Sequence, residues 1–552
     1  MTKKIFLALL MSCLALFASA SNYLTFTAEE DNSSFWLDDW GNNPNVEYSL
    51  DDGETWTLLE ASFMGSNKVI LTNKGDKALL RGNNPDGFSK YKDKYTYFRM
   101  GGKIAASGSV MSLIDGIGES KTIPSEFCFY NLFYYCPSLT QAPELPATKL
   151  AANCYSKMFS YCENLTQAPE LPATELAESC YEGMFMDCLN LSQAPELPAT
   201  ELAESCYAYM FMKCFLSLTK TPELPATKLA KNCYYNMFNF CQMLTQAPKL
   251  PATELAEGCY LCMFTQCKSL TQAPELPATV LAPKCYGNMF DGSGLTKAPA
   301  LPATEMEERC YEAMFARTNL TQAPELPATK MSKYCYERMF EVCTNLTKAP
   351  ELPAMELADG CYEGMFERCT SLTQAPKLPA TKLADYYCYQ WMFSGCTSLT
   401  EAPELPAKEL TNECYYEMFR NCENLQKIKV YFTDWKTSLE TFWWVESVAP
   451  TGRFYCPKGL PLEYGEDRIP EGWNVEYIEE ETDVAECVSD ASFKAWGADG
   501  KITYIGATMP VEIYDLGGRL VKKVKGESQS VDVPQHGIYV VKSGNVSLKV
   551  EL

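Results

Sequence analysis

The 552-residue chain carries 47 Lys+Arg against 70 Asp+Glu, a formal charge of −23 that argues against a nucleic-acid partner, because phosphate binding needs a basic face. Its one histidine, His536, excludes Ser-His-Asp and Cys-His catalysis over most of the chain and any multi-histidine metal site; no cofactor or metal is expected. With 47% hydrophobic residues there is ample material for a core. The chain opens on Lys3-Lys4, an apolar run from Ile5 to Phe17, and Ala18-Ser19-Ala20, the pattern of a secretory signal over 1–20. Its removal takes away two lysines and leaves 45 − 70 = −25. Leu10-Met11-Ser12-Cys13 also forms a lipoprotein box, but the apolar run continues past it to the better site at Ala20. Nothing later is long enough to span a bilayer. Export is the expectation. Residues 21–122 have short alternating runs, such as Lys68-Val69-Ile70-Leu71 and Tyr95-Thr96-Tyr97-Phe98, among Gly, Asn and Asp. They predict a small β domain capping the segment that begins at residue 123.

That segment is a repeat array. Leu-Thr-x-Ala-Pro-x-Leu-Pro-Ala-Thr-x-Leu-Ala-x-x-Cys-Tyr-x-x-Met-Phe-x-x-Cys recurs between residues 123 and 425. From Cys128, the first cysteine of its column, to Cys414 is 286 residues in 11 steps, a mean period of 26. Each unit has two halves. In the copy beginning at Leu165, Thr174 is a natural N-cap, and Glu175 and Glu178 suit a first helical turn. Leu176, Cys180, Met184 and Cys188 then come at four-residue spacing with Tyr181 and Phe185 beside them. That spacing predicts a short helix with one apolar stripe. The other half, Leu165 to Leu171, is Pro-marked and predicts a short strand whose hydrogen-bond ladder is cut back at each proline. Such units cannot bury their apolar faces alone, so they must stack. The expected fold is α/β: a leucine-rich-repeat solenoid of about twelve 26-residue units flanked by small all-β domains, with the Leu, Met-Phe and both Cys columns inward.

Met392-Phe393-Ser394-Gly395-Cys396-Thr397-Ser398-Leu399-Thr400 resembles the Ala-Phe-x-x-Cys-x-x-Leu-Thr signature of the BspA-like leucine-rich repeat family of Bacteroidetes surface proteins. The resemblance covers about 123–425, departing in a longer period and in the Ala-Pro-x-Leu-Pro segment. It implies a cell-surface protein, adhesin-like, that binds host matrix proteins or other bacteria. Residues 426–486 are rich in aromatics (Trp435, Phe442, Trp443, Trp444, Tyr455, Trp473) and predict a C-terminal cap. In 487–552, Ile513-Tyr514-Asp515-Leu516-Gly517-Gly518-Arg519 and Gly537-Ile538-Tyr539-Val540-Val541 alternate about glycine turns, as in a β-sandwich. This stretch resembles the C-terminal sorting domain of the type IX secretion system. It implies contact with that machinery, passage through the outer membrane, and removal of the domain with attachment or release.

The 26 cysteines divide into Cys13, twelve in the Cys-Tyr column, ten in the second column, and Cys262, Cys456 and Cys487. A ladder of buried, reduced thiols is the favoured reading; Ser293 and Thr318 in the second column suit a site that wants small size. Bridges between stacked neighbours are the alternative, since a spacing of ~5 Å lies within disulfide range. Cys259-Tyr260-Leu261-Cys262 has redox spacing, yet Cys259 is the ordinary repeat cysteine, which favours packing. Ser49-Leu50-Asp51-Asp52-Gly53-Glu54-Thr55-Trp56 matches the Asp-box of sialidase-like propellers. One copy makes a hairpin turn and no propeller.

Two function classes remain. The first is an exported binding protein; the alternative is an exported glycan-binding or glycan-processing protein, for which the Asp-box is the one hint. Acids recurring as a ladder contrast with the unique carboxylate pair a glycosidase uses, so no enzyme is expected. Specificity then lies in positions facing out. The residue after each Thr supplies Gln167, Gln193 and Lys220; the residue between Pro and Leu supplies Glu170, Glu196 and Glu223. The latter series holds eight acids against Lys249 and Lys377. These six residues are the candidate ligand-binding set.

Overall fold

The computed structural model describes residues 22–61, 65–478 and, between 493 and 551, all but 499–500, 508, 516–517, 527, 534–536 and 545. The signal segment and His536 lie outside the described residues. Two compact units are present, one up to Glu476 and one from Tyr477.

The first unit begins with β1 (Leu24–Ala28), β2 (Ser33–Asp39), β3 (Val46–Ser49), β4 (Thr57–Leu58), β5 (Val69–Leu71), β6 (Lys77–Gly82), β7 (Thr96–Gly101) and β8 (Ile104–Ser107). Alternate side chains of β1 and β2 point inward, as in a half-buried strand. The four-residue helix α1 (Ser112–Asp115) ends on Gly116, whose φ of 77° suits a residue without a Cβ. The strands form two sheets, β4-β3-β6-β1-β8-β9 and β5-β2-β7, in which β9 (Leu139–Gln141) already belongs to the repeats and pairs in parallel with β8. Phe98 stacks on Phe133 at 5.7 Å, and the Phe98 N–H donates to the Leu132 carbonyl. One apolar core therefore runs from Leu24 into the repeats and on to Trp473.

Within the repeats, the Tyr and Phe columns form two continuous ladders of near-parallel rings with centroids 5.5–6.0 Å apart. Cys180, Met184, Phe185 and Cys188 are fully buried, and so are their counterparts in the neighbouring units. The prolines curtail the strand half as expected. Neighbouring units there meet only in single parallel bridges, such as Gln167 with Gln193 and Lys220 with Gln246. Longer strands return beside a proline-free segment: β10 (Glu401–Leu405), which still holds Pro403, pairs in parallel with the proline-free β11 (Lys427–Val430), β11 with β12 (Arg453–Cys456), and β13 (Asn474–Tyr477) adds the edge. Trp444, Trp435 and Phe432 close the end of the ring ladders.

The expected helices are absent, and the α/β assignment is corrected: α1 is the one helix among the described residues, and it precedes the repeats. Thr174 caps nothing. Glu175 instead bridges to Lys149 of the preceding unit. The segment after it is a ribbon of overlapping tight turns. The N–H groups of Cys180, Met184 and Cys188 donate three residues back, to Ala177, Tyr181 and Phe185, where an α-helix would reach back four. Alternate N–H groups cross to the next unit instead, Tyr181 to the Cys206 carbonyl at 3.1 Å and Phe185 to Met210 at 2.9 Å. Every fourth residue takes the left-handed conformation: Ser179, Gly183 and Asp187 have φ of 50°, 59° and 58°. A four-residue turn repeat holds residues 176, 180, 184 and 188 on one line, whereas a helix of 3.6 residues per turn would rotate them by ~40° per step. It also sends half of the donors between units, which replaces the sheet hydrogen bonds that the prolines delete.

The second unit has two sheets around its own core of Ile502, Tyr504, Val511, Ile513 and Val541. One is β14 (Lys494–Ala498), β15 (Lys501–Ile505) and β18 (Gln529–Asp532); the other is β17 (Leu520–Val524), β16 (Val511–Asp515), β19 (Ile538–Ser543) and β20 (Val546–Glu551). Leu516-Gly517 of the first sorting-domain motif lies outside the described residues.

Candidate functional site

The strand half of each unit presents Gln/Lys-Ala-Pro-Glu-Leu-Pro on the surface. Its Leu is buried and its Glu exposed, so each strand shows one polar side. Where two such segments adjoin, their prolines leave a shallow groove. One of about 850 Å³ is lined by Gln141, Pro143, Glu144, Gln167, Pro169 and Glu170, together with Glu29 and Lys103. The pattern recurs at 271–302 (about 770 Å³) and 322–353 (about 650 Å³).

Of the six candidates, Gln167 and Glu170 line the first groove, and the Gln167 amide donates to the Gln193 side chain at 3.5 Å. Lys220 continues the Gln row by bridging to Gln246. Glu196 and Glu223 repeat the Glu170 position along the row, outside that groove. The three carboxylates are exposed and have no hydrogen bond or ion pair. Farther along, the same row ends on Glu404, which Lys429 reaches at 3.1 Å, while Lys427 reaches Glu401 of the Gln row, also at 3.1 Å. The Tyr431 hydroxyl also donates to Glu404 at 3.2 Å.

A second charged face escaped the sequence reading. On the outer side of the turn ribbons, Arg317 joins Asp291 (2.7 Å) to Glu341 (2.8 Å), and Arg309 joins Glu312 (3.1 Å) to Glu337 (2.6 Å). Arg309 lies over the Tyr334 ring and Arg338 over Trp391, which favours cation–π attraction. Glu312, Glu337 and Glu363 hold the same place in three consecutive units. Burial, followed by the Glu337 charge, pushes the Glu363 carboxyl up from 4.5 to about 7, against the pull of Arg338 and Arg309. A Glu directly after Tyr311, Tyr336 and Tyr362 was the available signal.

The described cysteines show no activated nucleophile. None of the 24 described cysteines is paired, and all but Cys262 are buried. Thiols of the second column donate to the Phe carbonyl of the preceding unit: Cys162 to Phe133, Cys188 to Phe159, Cys422 to Phe393, at 3.0–3.1 Å. Burial pushes Cys136, Cys180 and Cys233 up to about 12, far from the thiolate a redox centre uses. Cys262 occupies a left-handed ribbon position, φ 56°, and is also pushed up, to about 11.

The Asp-box motif forms the turn after β3. Asp51 accepts from the Ser49 and Thr55 hydroxyls, and the Trp56 indole N–H donates to the Gly53 carbonyl. The hydrogen bonds from Ser49 and Thr55 hold the Asp51 carboxyl down at about 2. The Ser49, Asp51, Thr55 and Trp56 side chains of the motif are spent on the turn. Among the described residues, no group of three or more His, Cys, Asp or Glu could hold a metal ion, and no helix is long and apolar enough to cross a membrane.

Repeats that bury Leu, Phe and Cys columns and show a polar strand row define a leucine-rich-repeat protein. The chain belongs to the family described as BspA type leucine rich repeat region: six copies of that model match residues 126–271 and 308–443, 282 of the 552 residues. Proteins of this family are generally non-enzymatic binding scaffolds and are often surface-associated. No curated protein and no solved structure matches the chain.

Proposed function

We propose that the protein is an exported, adhesin-like binding protein that holds a host matrix protein or a bacterial surface protein on the strand face of a twelve-unit solenoid. The observation that carries this reading is the recurrence of the same Gln-Ala-Pro-Glu-Leu-Pro groove from unit to unit, with carboxylates left without partners. A repeated weak contact gains strength through multivalency. A column of like charges one strand spacing apart costs stability through repulsion, so its persistence supports a role other than folding. The unbroken ring ladders support the single solenoid, and the family's habit of binding supports a protein ligand. The segment 1–20 supports export through Sec. The resemblance of 487–552 to a type IX sorting domain supports outer-membrane passage followed by loss of about the last 65 residues. Intact mass spectrometry of the surface form from the native host tests the processing; a species still ending at Leu552 overturns it. A matrix-protein and glycan array probed with residues 21–486 tests the ligand class. Binding to proteins is the expected result; binding confined to glycans overturns it.

A further inference from the structure

We infer that the ligand element this face takes is a basic α-helix lying along the stack, one turn per repeat unit. The inference rests on the strand face being the binding face. The units are joined there by parallel bridges, Gln167 to Gln193 and Glu201 to Lys228, so equivalent residues recur at about the strand spacing of ~4.8 Å. The ring ladders behind them recur at 5.5–6.0 Å. Glu170, Glu196 and Glu223 occupy three consecutive steps with no partner of their own. The fold displays what completes the row: at its end, β11 sets Lys429 beside Glu404.

An external partner must supply such cations at the same pitch. An α-helix advances ~5.4 Å per turn, so Lys or Arg at i, i+4 and i+7 meets successive units with little drift. An extended strand repeats its facing side chains every ~6.7 Å and loses register by ~2 Å at each unit. Beside Glu170 the groove walls, Ala142, Pro143, Ala168 and Pro169, are apolar and suit the methylene stem of a lysine beneath its ammonium. Charge sign and pitch thus select a basic helix over an acidic, apolar or extended segment.

The test uses the chain without its signal segment and three fluorescent peptides of identical composition, about 18 residues long. One gathers its lysines on a single helical face, one spreads them around the helix, and one alternates them in a sequence that stays extended. Anisotropy titrations should show the one-face peptide binding about tenfold more tightly than either isomer. That preference should vanish in Glu170→Lys/Glu196→Lys/Glu223→Lys and weaken in the charge-neutral Glu170→Gln/Glu196→Gln/Glu223→Gln. Near-UV circular dichroism verifies that each variant is folded. Equal binding of the three peptides, tighter binding of the extended one, or indifference to both triple variants overturns the inference. If a matrix protein on the array is bound through the three glutamates while the one-face peptide is not preferred, the helix inference falls and the binding function stands. If no protein binds there, the function itself falls.

Discussion

Replacing Glu363 by Gln removes the most strongly perturbed carboxylate of the turn-ribbon face. Its carboxyl is raised to about 7 from 4.5, chiefly by burial and then by Glu337, so the folded chain keeps a proton that the unfolded chain has lost. Folding stability from this group is fully present below pH 4.5, declines as pH rises through about 7, and is gone above it. A shift of that size corresponds to about 3 kcal/mol, and partial access of water to the carboxylate brings the expectation to about 1–3 kcal/mol. Glu363→Gln should therefore match the wild type at pH 4.5 and exceed it by that amount at pH 8.5. Urea unfolding followed by circular dichroism at both pH values, with far-UV spectra before titration, measures the difference. Equal effects at the two pH values, or a loss at pH 8.5, would refute the assigned environment.

Three further substitutions probe the packing. Val342 is β-branched yet holds the left-handed conformation, φ 57°, where Asn421 sits in a later unit; Val342→Asn should stabilise the fold by about 1 kcal/mol in thermal unfolding. The Ser293 hydroxyl is buried without a partner at a position where ten units place a carbonyl-bonded thiol; Ser293→Cys should raise the melting temperature under reducing conditions, by about 1 kcal/mol in stability. Phe185 is fully buried between Phe159 and Phe211 at 5.6 and 5.7 Å; Phe185→Ala should cost about 3–5 kcal/mol, measured by urea unfolding, and a loss below about 1 kcal/mol would contradict the ring ladder.

The inward columns were legible because burial acts on residue type alone: Leu171, Met184, Phe185 and both cysteines recur wherever the core must be filled. The abbreviated strands were legible for an equally local reason, the missing N–H of Pro169 and Pro172. The helix expectation fails because i, i+4 spacing is common to an α-helix and to a four-residue turn ribbon. Gly183, Gly364 and Gly395, with Asn131, Asn236 and Asn288, recur at the left-handed positions, and those columns distinguish the two. The charged network on the ribbon face was hidden by distance along the chain. Arg317 meets Asp291 and Glu341 only because stacking superposes residues a full period apart. For the six candidate residues, sequence alternation placed Glu170, Glu196 and Glu223 outward, while the grooves between units depend on how proline-bearing segments adjoin.

Whether the strand face holds a protein partner is decided most directly by biolayer interferometry. Wild type and Glu170→Lys/Glu196→Lys/Glu223→Lys are compared against a panel of purified matrix proteins at low and moderate salt. At least one protein should bind the wild type, more weakly as salt rises, and the triple variant should lose about tenfold or more of that affinity while keeping its melting temperature. Binding of equal strength and equal salt dependence by both forms would contradict a binding role for this face.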